Sequence, residues 1–217
     1  LKRATSFDKD DPTLHESDVP PTTRFLVDNY GDSDEMSVGH RIMFFDIEVE
    51  VTDGFPDVQK AQNVITSIAL YDCLTDKYFT YCFDPEKRIK SYTKDDEVVE
   101  FYDTEYEMLN KFFQKYLEIR PTIISGWNSD FFDIPYLYNR AVRVLGPEVA
   151  NLLSPISQVL YSEYKKKHTI AGVSSLDYLQ LYRQFTFTQQ SSYRLDYIGE
   201  VEVGMKKVDY TGTLNDL

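Results

Sequence analysis

The chain lacks most of what would cross-link it, anchor it in a membrane or hold it broadly to polyanions. It has 2 cysteines in 217 residues. Cys73 and Cys82 show no metal-cluster spacing, which excludes a disulfide scaffold or zinc knuckle and points to a reducing, intracellular setting. No apolar run approaches the roughly 20 residues of a transmembrane helix, and the first residues show no secretory or transit pattern. Positive charge is scarce: 23 Lys and Arg stand against 36 Asp and Glu, a net charge of −13. That balance excludes sequence-independent adhesion to duplex DNA, which relies on basic side chains neutralising phosphates. A nucleic acid end could still be handled at a local site where metal ions supply the positive charge.

What is present is the composition of a globular protein, 42% hydrophobic and 15% aromatic, with 17 Tyr and 14 Phe. This length supports one good core. The rings serve either as core or as a base-stacking surface.

Residues 1–40 are rich in Asp, Ser, Pro and Thr, with Phe25-Leu26-Val27 as a hydrophobic island. They read as an extended lead-in or the remnant of a preceding domain. From residue 41 the texture changes, and 41–217 reads as one domain. Strands are expected over 41–51, 63–71 and 77–83, joined by turns as an antiparallel meander. Residues 84–103 read as charged loop. Thr104 caps a helix running to Glu118, with Glu107 completing a capping box and Leu109, Phe112, Phe113, Tyr116 and Leu117 at helical spacing. A short buried strand follows over 122–127, then a helix over 134–145 stopped by Gly146-Pro147. Residues 148–173 carry no clear periodicity. A last helix is expected over 174–185 with Leu176, Leu179, Leu181 and Tyr182 inward. Helices against a mixed sheet make an α/β layer fold.

The chemistry concentrates at Met43-Phe44-Phe45-Asp46-Ile47-Glu48. Side chains on a strand alternate faces, so Asp46 and Glu48 project from one side while Phe45 and Ile47 fill the other. Two anions so close repel without a cation, and hard oxygen ligands suit magnesium or manganese. The competing reading is a solvated strand end. Downstream, Gly126-Trp127-Asn128-Ser129-Asp130-Phe131-Phe132-Asp133 leads into a helix. There Asp133 is either a helix cap or a third metal-site carboxylate.

Together, Asp46-Ile47-Glu48 and Asn128-x-x-x-Phe132-Asp133 resemble the first two exonuclease motifs of family B DNA polymerases. The flanking Gly126-Trp127-Asn128, Phe132-Asp133-Ile134-Pro135-Tyr136 and Ser191-Ser192-Tyr193-Arg194-Leu195-Asp196-Tyr197-Ile198 resemble the tailed-phage branch. The likeness covers residues 41–217. It implies a ribonuclease H-like, DEDD-type exonuclease fold and two-metal 3′–5′ proofreading hydrolysis of the terminal phosphodiester of single-stranded DNA, with two Mg2+ or Mn2+ ions as cofactors. It implies Asp46, Glu48 and Asp133 as catalytic and metal-binding carboxylates, and Asn128 and Lys207 as substrate contacts; a solvated surface lysine is the alternative for Lys207. Phe131 and Phe132 are candidates to stack on frayed terminal bases, and for Phe132, the candidate substrate contact, core packing is the alternative, since alternate faces send only one of the two to solvent.

Implied partners are a single-stranded 3′ end, the polymerase remainder in cis or as a separate chain, and a sliding clamp with other replisome proteins. The implied setting is the cytoplasm of an infected host cell, with no membrane. The family's third motif, Tyr-x-x-x-Asp, occurs only at Tyr30/Asp34 and Tyr92/Asp96, both upstream of Asp133. The true motif is therefore expected beyond Leu217 and the domain is expected to be C-terminally truncated, an expectation that the start at Leu1 rather than Met also fits. The alternative function is a non-catalytic module that docks on a polymerase or binds single-stranded DNA. A free-standing nuclease would need another last ligand, for which His168, in an expected solvated basic turn, is the candidate.

Overall fold

The structure, a computed structural model, describes residues 19–208 except 37 and 53. It divides into two units, 1–39 and 40–217. In the first, Pro21–Tyr30 forms helix α1, with no buried residue. The expected extended lead-in is therefore helical over this stretch. Pro21 is the cause: at the first helical position its fixed φ starts the helix and its missing N–H is no loss. Of the two Tyr-x-x-x-Asp spacings, Tyr30/Asp34 lies in this unit and Tyr92/Asp96 in the second.

The second unit holds nine strands among the described residues: β1 Ile42–Val49, β2 Ile65–Asp72, β3 Lys77–Phe83, β4 Tyr92–Lys94, β5 Glu97–Tyr102, β6 Ile123–Ser125, β7 Val159–Ser162, β8 Lys167–Ile170 and β9 Ser174–Ser175. Its helices are α2 Glu105–Ile119, α3 Asp133–Val144, α4 Pro147–Ala150, α5 Tyr178–Phe185 and α6 Leu195–Val203. Seven strands form one sheet in the order β4-β5-β3-β2-β1-β6-β9, and β7 and β8 form a separate hairpin. β1 is antiparallel to β2 and parallel to β6, which places it at the centre of a mixed sheet. This is the α/β arrangement expected from the sequence.

The first three strands are the expected meander. Residues 84–103 are not loop: they contain β4 and β5, with β5 parallel to β3. Val98, Val99, Phe101 and Tyr102 supply the β-forming side chains, half-buried among charged neighbours that mask the pattern. Asp72 is buried and receives Arg41 at 2.7 Å and the Thr75 hydroxyl at 2.8 Å, closing the β2–β3 turn against the start of β1.

The core lies on one face of the sheet. Met43, Phe45, Ile47 and Val49 of β1 meet Met108, Leu109, Phe112, Phe113 and Tyr116 of α2 and Ile134 and Leu137 of α3. Each such side chain contributes about 1.5–3 kcal/mol on burial. Leu117, expected inward, is 42% exposed because it falls off the stripe that the other five residues define. The expected N-cap forms, with Thr104 Oγ1 accepting from the Glu107 N–H at 3.2 Å, while the Glu107 carboxylate returns to the Thr104 hydroxyl, at 3.0 Å, in place of the backbone N–H of a full capping box. The last expected helix starts later than Ser174. Ser174–Ser175 is a strand edge, and Leu176 is exposed because it precedes the helix.

Candidate active site

β1 carries the site because its two faces differ in kind. Its odd-numbered residues from Met43 to Val49 are buried, whereas Phe44, Asp46 and Glu48 occupy the opposite face. Asp46 and Glu48 are thus about 6.6 Å apart along one face. The β1–β2 register slips between Glu48 and Val49, because Glu48 opposes Ser67 and Val49 opposes Ile65. The extra residue, Thr66, makes a bulge that twists the strand at Glu48 and lets Ile65 and Ile68 both reach the core.

Asp133 arrives from the other side. It is the first residue of α3, and its Oδ1 accepts from the Ile47 N–H at 3.1 Å. The carboxylate therefore ties α3 to β1 between Asp46 and Glu48 rather than capping its own helix. Its approach depends on the loop 126–132. A Cβ on Gly126 would lie 2.7 Å from the Phe45 carbonyl oxygen, so only glycine lets this loop run so close to β1. Asn128 takes a left-handed conformation, φ +66°, and its carbonyl accepts from the N–H groups of Phe131 and Phe132. Asp177, buried ahead of α5, clamps the loop by accepting from Asn128 N–H at 3.1 Å and Asp130 N–H at 3.2 Å. It also caps α5 through Leu179 N–H.

The electrostatics follow from this crowding. Loss of hydration raises the pKa of Asp46 even though its side chain reaches solvent, and the Lys207 charge offsets part of the rise. Burial raises Glu48 as well, the negative charge of Asp46 raises it further and Lys207 again opposes. Asp133 is pushed up to about 7, by burial first, then by Asp46, with Asp177 adding to the effect. Lys207 is exposed, its N–H held by Asp196 at 3.0 Å. Among the described residues, no three carboxylate, imidazole or thiol groups stand together as a ready metal-binding cluster.

Phe132 is half-buried and packs on Tyr136 at 5.6 Å and on Phe55 at 5.3 Å. Phe131 instead faces outward, 44% exposed. Phe55 was not singled out from the sequence, because it stands alone in the turn after β1; the structure leaves it 81% exposed. His168 corrects the expectation of a solvated turn: it lies on β8, 5% exposed, between the rings of Tyr138 and Tyr161. Burial lowers its pKa.

α3 positions more than Asp133. Along its length Tyr136, Asn139, Arg140 and Arg143 donate to the carbonyls of Asn63, Val58, Ala61, Gln62 and Lys60. Arg140 is buried against Glu105 of α2, at 2.8 and 2.6 Å, and Glu105 also accepts from Ile65 N–H. The segment between Phe55 and β2 is therefore held by the same helix that presents Asp133.

Fold and site define an α/β domain of the ribonuclease H-like exonuclease class. Residues 32–198 match the family described as DNA polymerase family B, exonuclease domain, and the chain belongs to that family. It is similar to the DNA-directed DNA polymerases of Escherichia phage RB69, at 34% identity over 82% of this chain and 23% of the relative, and of Enterobacteria phage T4, at 32% over 78% and 22%. DNA polymerase 1 of Saccharolobus solfataricus is 30% identical over 75% of the chain and 18% of its own length. The chain spans less than a quarter of these relatives. No helix among the described residues is long and apolar enough to cross a membrane.

Proposed function

We propose that this chain carries the 3′–5′ exonuclease site of a family B DNA polymerase, acting on the 3′ end of single-stranded DNA in the cytoplasm of an infected host cell. The carrying observation is that Asp133 accepts from the N–H of Ile47, the residue between Asp46 and Glu48 on β1, and that all three carboxyls are harder to ionise than an ordinary one. Their hard oxygens and mutual repulsion, only partly offset by Lys207, fit divalent magnesium or manganese, and two such ions are the proposed cofactors. When bound, these ions supply the charge that activates water and stabilises the leaving 3′ oxygen.

The chain's own residues do the rest. Asp46 would help hold both ions, with Glu48 and Asp133 each holding one. Asn128, fixed by Asp177, orients the terminal nucleotide, and Lys207 faces its phosphate. Phe55, braced by Phe132, stacks on a frayed base. The polymerase remainder, in cis or as a separate chain, and the sliding clamp with other replisome proteins supply the grip that an acidic chain lacks. The 217 residues contain no Tyr-x-x-x-Asp after Asp133, so turnover by this chain alone is expected to be slow.

The test pairs manganese binding, followed as thermal stabilisation, with shortening of a 5′-labelled single-stranded oligonucleotide. Stabilisation by manganese and slow shortening from the 3′ end, both lost in Asp46→Ala, are expected. Manganese that leaves the wild type unstabilised, or shortening that survives Asp46→Ala, overturns the reading. Oligonucleotide binding without manganese stabilisation points instead to the non-catalytic module.

A further inference from the structure

The β7–β8 hairpin is fastened to the domain at successive heights. At its base Ile170 is buried in the core, and the Ala171 carbonyl accepts from the Ser154 hydroxyl at 2.7 Å. One step outward His168 sits between Tyr138 of α3 and Tyr161 of β7. Outermost before the exposed turn 163–166 is Lys167, whose Nζ lies 2.8 Å from Asp130 Oδ2. Asp130 is 6% exposed and belongs to the loop that holds Asn128. Its other oxygen accepts from the Ser175 hydroxyl at 2.5 Å, and its N–H donates to Asp177. The acid is thus gripped from behind by β9 and by the cap of α5, so the hairpin is held by the loop rather than the loop by the hairpin. A buried carboxylate with one cationic partner is a stringent tether, since removing either charge leaves the other unmatched.

We propose that Lys167 is a positioning residue: its ion pair with Asp130 fixes the outer half of the β7–β8 hairpin against loop 126–132, so that hairpin and Asn128 face a single-stranded oligonucleotide as one unit. The proposal rests on the reading that this loop holds the substrate strand. Breaking the pair frees Ser162 and Lys167, which are partners across the hairpin, while the base stays anchored.

The experiment uses the whole chain and three variants, Lys167→Met, Lys167→Arg and Asp130→Asn, checked for folding by their melting transitions. Backbone amide exchange in β7 and β8 is read against β2 and β3 as internal reference. Lys167→Met and Asp130→Asn are expected to speed exchange in the hairpin tenfold or more with the reference strands unchanged, and Lys167→Arg to restore protection. Hairpin exchange at the wild-type rate in Lys167→Met overturns the tether. Binding of a fluorescent oligothymidylate is measured alongside. Both uncoupling variants should weaken it threefold or more, although Asp130→Asn leaves the lysine charge in place. Unchanged or tighter binding by Asp130→Asn means that Lys167 meets phosphate directly and overturns the positioning role. A wild type that binds no oligonucleotide, with the exchange effects intact, defeats the reading of the loop as a substrate holder and leaves the tether standing.

Discussion

Replacing Asp133 by asparagine should make the metal-free protein more stable at pH 8, the reverse of the usual effect of substitution at a buried residue. Asp133 is buried and its pKa is pushed up to about 7, mainly by lost hydration and then by the charge of Asp46. In the unfolded chain the same carboxyl ionises near about 3.9. Below pH 4 the group costs nothing, because it is protonated in both states. Between pH 4 and pH 7 the unfolded state loses its proton first, and stability falls by about 1.4 kcal/mol per pH unit. Above pH 7 the penalty is constant, at most about 4 kcal/mol and about 2 kcal/mol once relaxation around the charge is allowed.

Asparagine keeps an oxygen for the Ile47 N–H and removes the charge. Unfolding in chelator from pH 4 to pH 9 should therefore show the variant gaining on the wild type with rising pH, by roughly 4–16 °C in Tm at pH 8. With manganese at about a hundredfold over Kd, the wild type recovers about 2.7 kcal/mol and the variant little. An asparagine variant no more stable than the wild type at pH 8, or an advantage that persists unchanged at pH 4, would refute the claim that Asp133 carries an uncompensated charge.

Gly126→Ala places a Cβ 2.7 Å from the Phe45 carbonyl; the loop must withdraw from β1, costing about 1–3 kcal/mol in urea unfolding and lowering manganese-dependent stabilisation. Phe55→Ala, at an 81% exposed ring, should change stability by less than about 0.5 kcal/mol yet weaken single-stranded oligonucleotide binding by about 1–3 kcal/mol, read by fluorescence anisotropy. Glu105→Gln leaves the Arg140 guanidinium buried without its partner and should cost about 3 kcal/mol in unfolding. Adding Arg140→Met should recover part of that loss.

The strands β1 to β3 and the helices α2 and α3 were legible because their periodicities are clean and their stops, Pro121 and Gly146-Pro147, are explicit. The strand β5 was not, since its apolar residues are interrupted by Glu97 and Glu100 and one face is only half-covered. The hairpin β7–β8 was hidden for the opposite reason: its lysine run reads as solvated turn, although two of the charged or titratable positions, Lys167 and His168, point into the domain. Asp46 and Glu48 could be placed on one face from strand alternation alone. The meeting of Asp133 with the Ile47 N–H could not, because it joins residues 86 positions apart. Asp177 was within reach, as a cap-forming residue directly before an amphipathic helix, but setting the helix start at Ser174 concealed it. Phe55 had no local signal; only the packing of its turn against Phe132 gives it a place.

The grip of α3 on the segment 58–63 constrains how the chain between β1 and β2 can change its length. Each of the carbonyls of Val58, Lys60, Ala61, Gln62 and Asn63 meets a donor at a set height on one helix, so one added residue there would put the following carbonyls out of step with their donors. The stretch from Gly54 to Pro56 makes no such bonds among the described residues and can lengthen at only the slow cost of a larger loop. Descendants of this sequence are thus free to rebuild the tip that bears Phe55, while the six residues behind it keep their count.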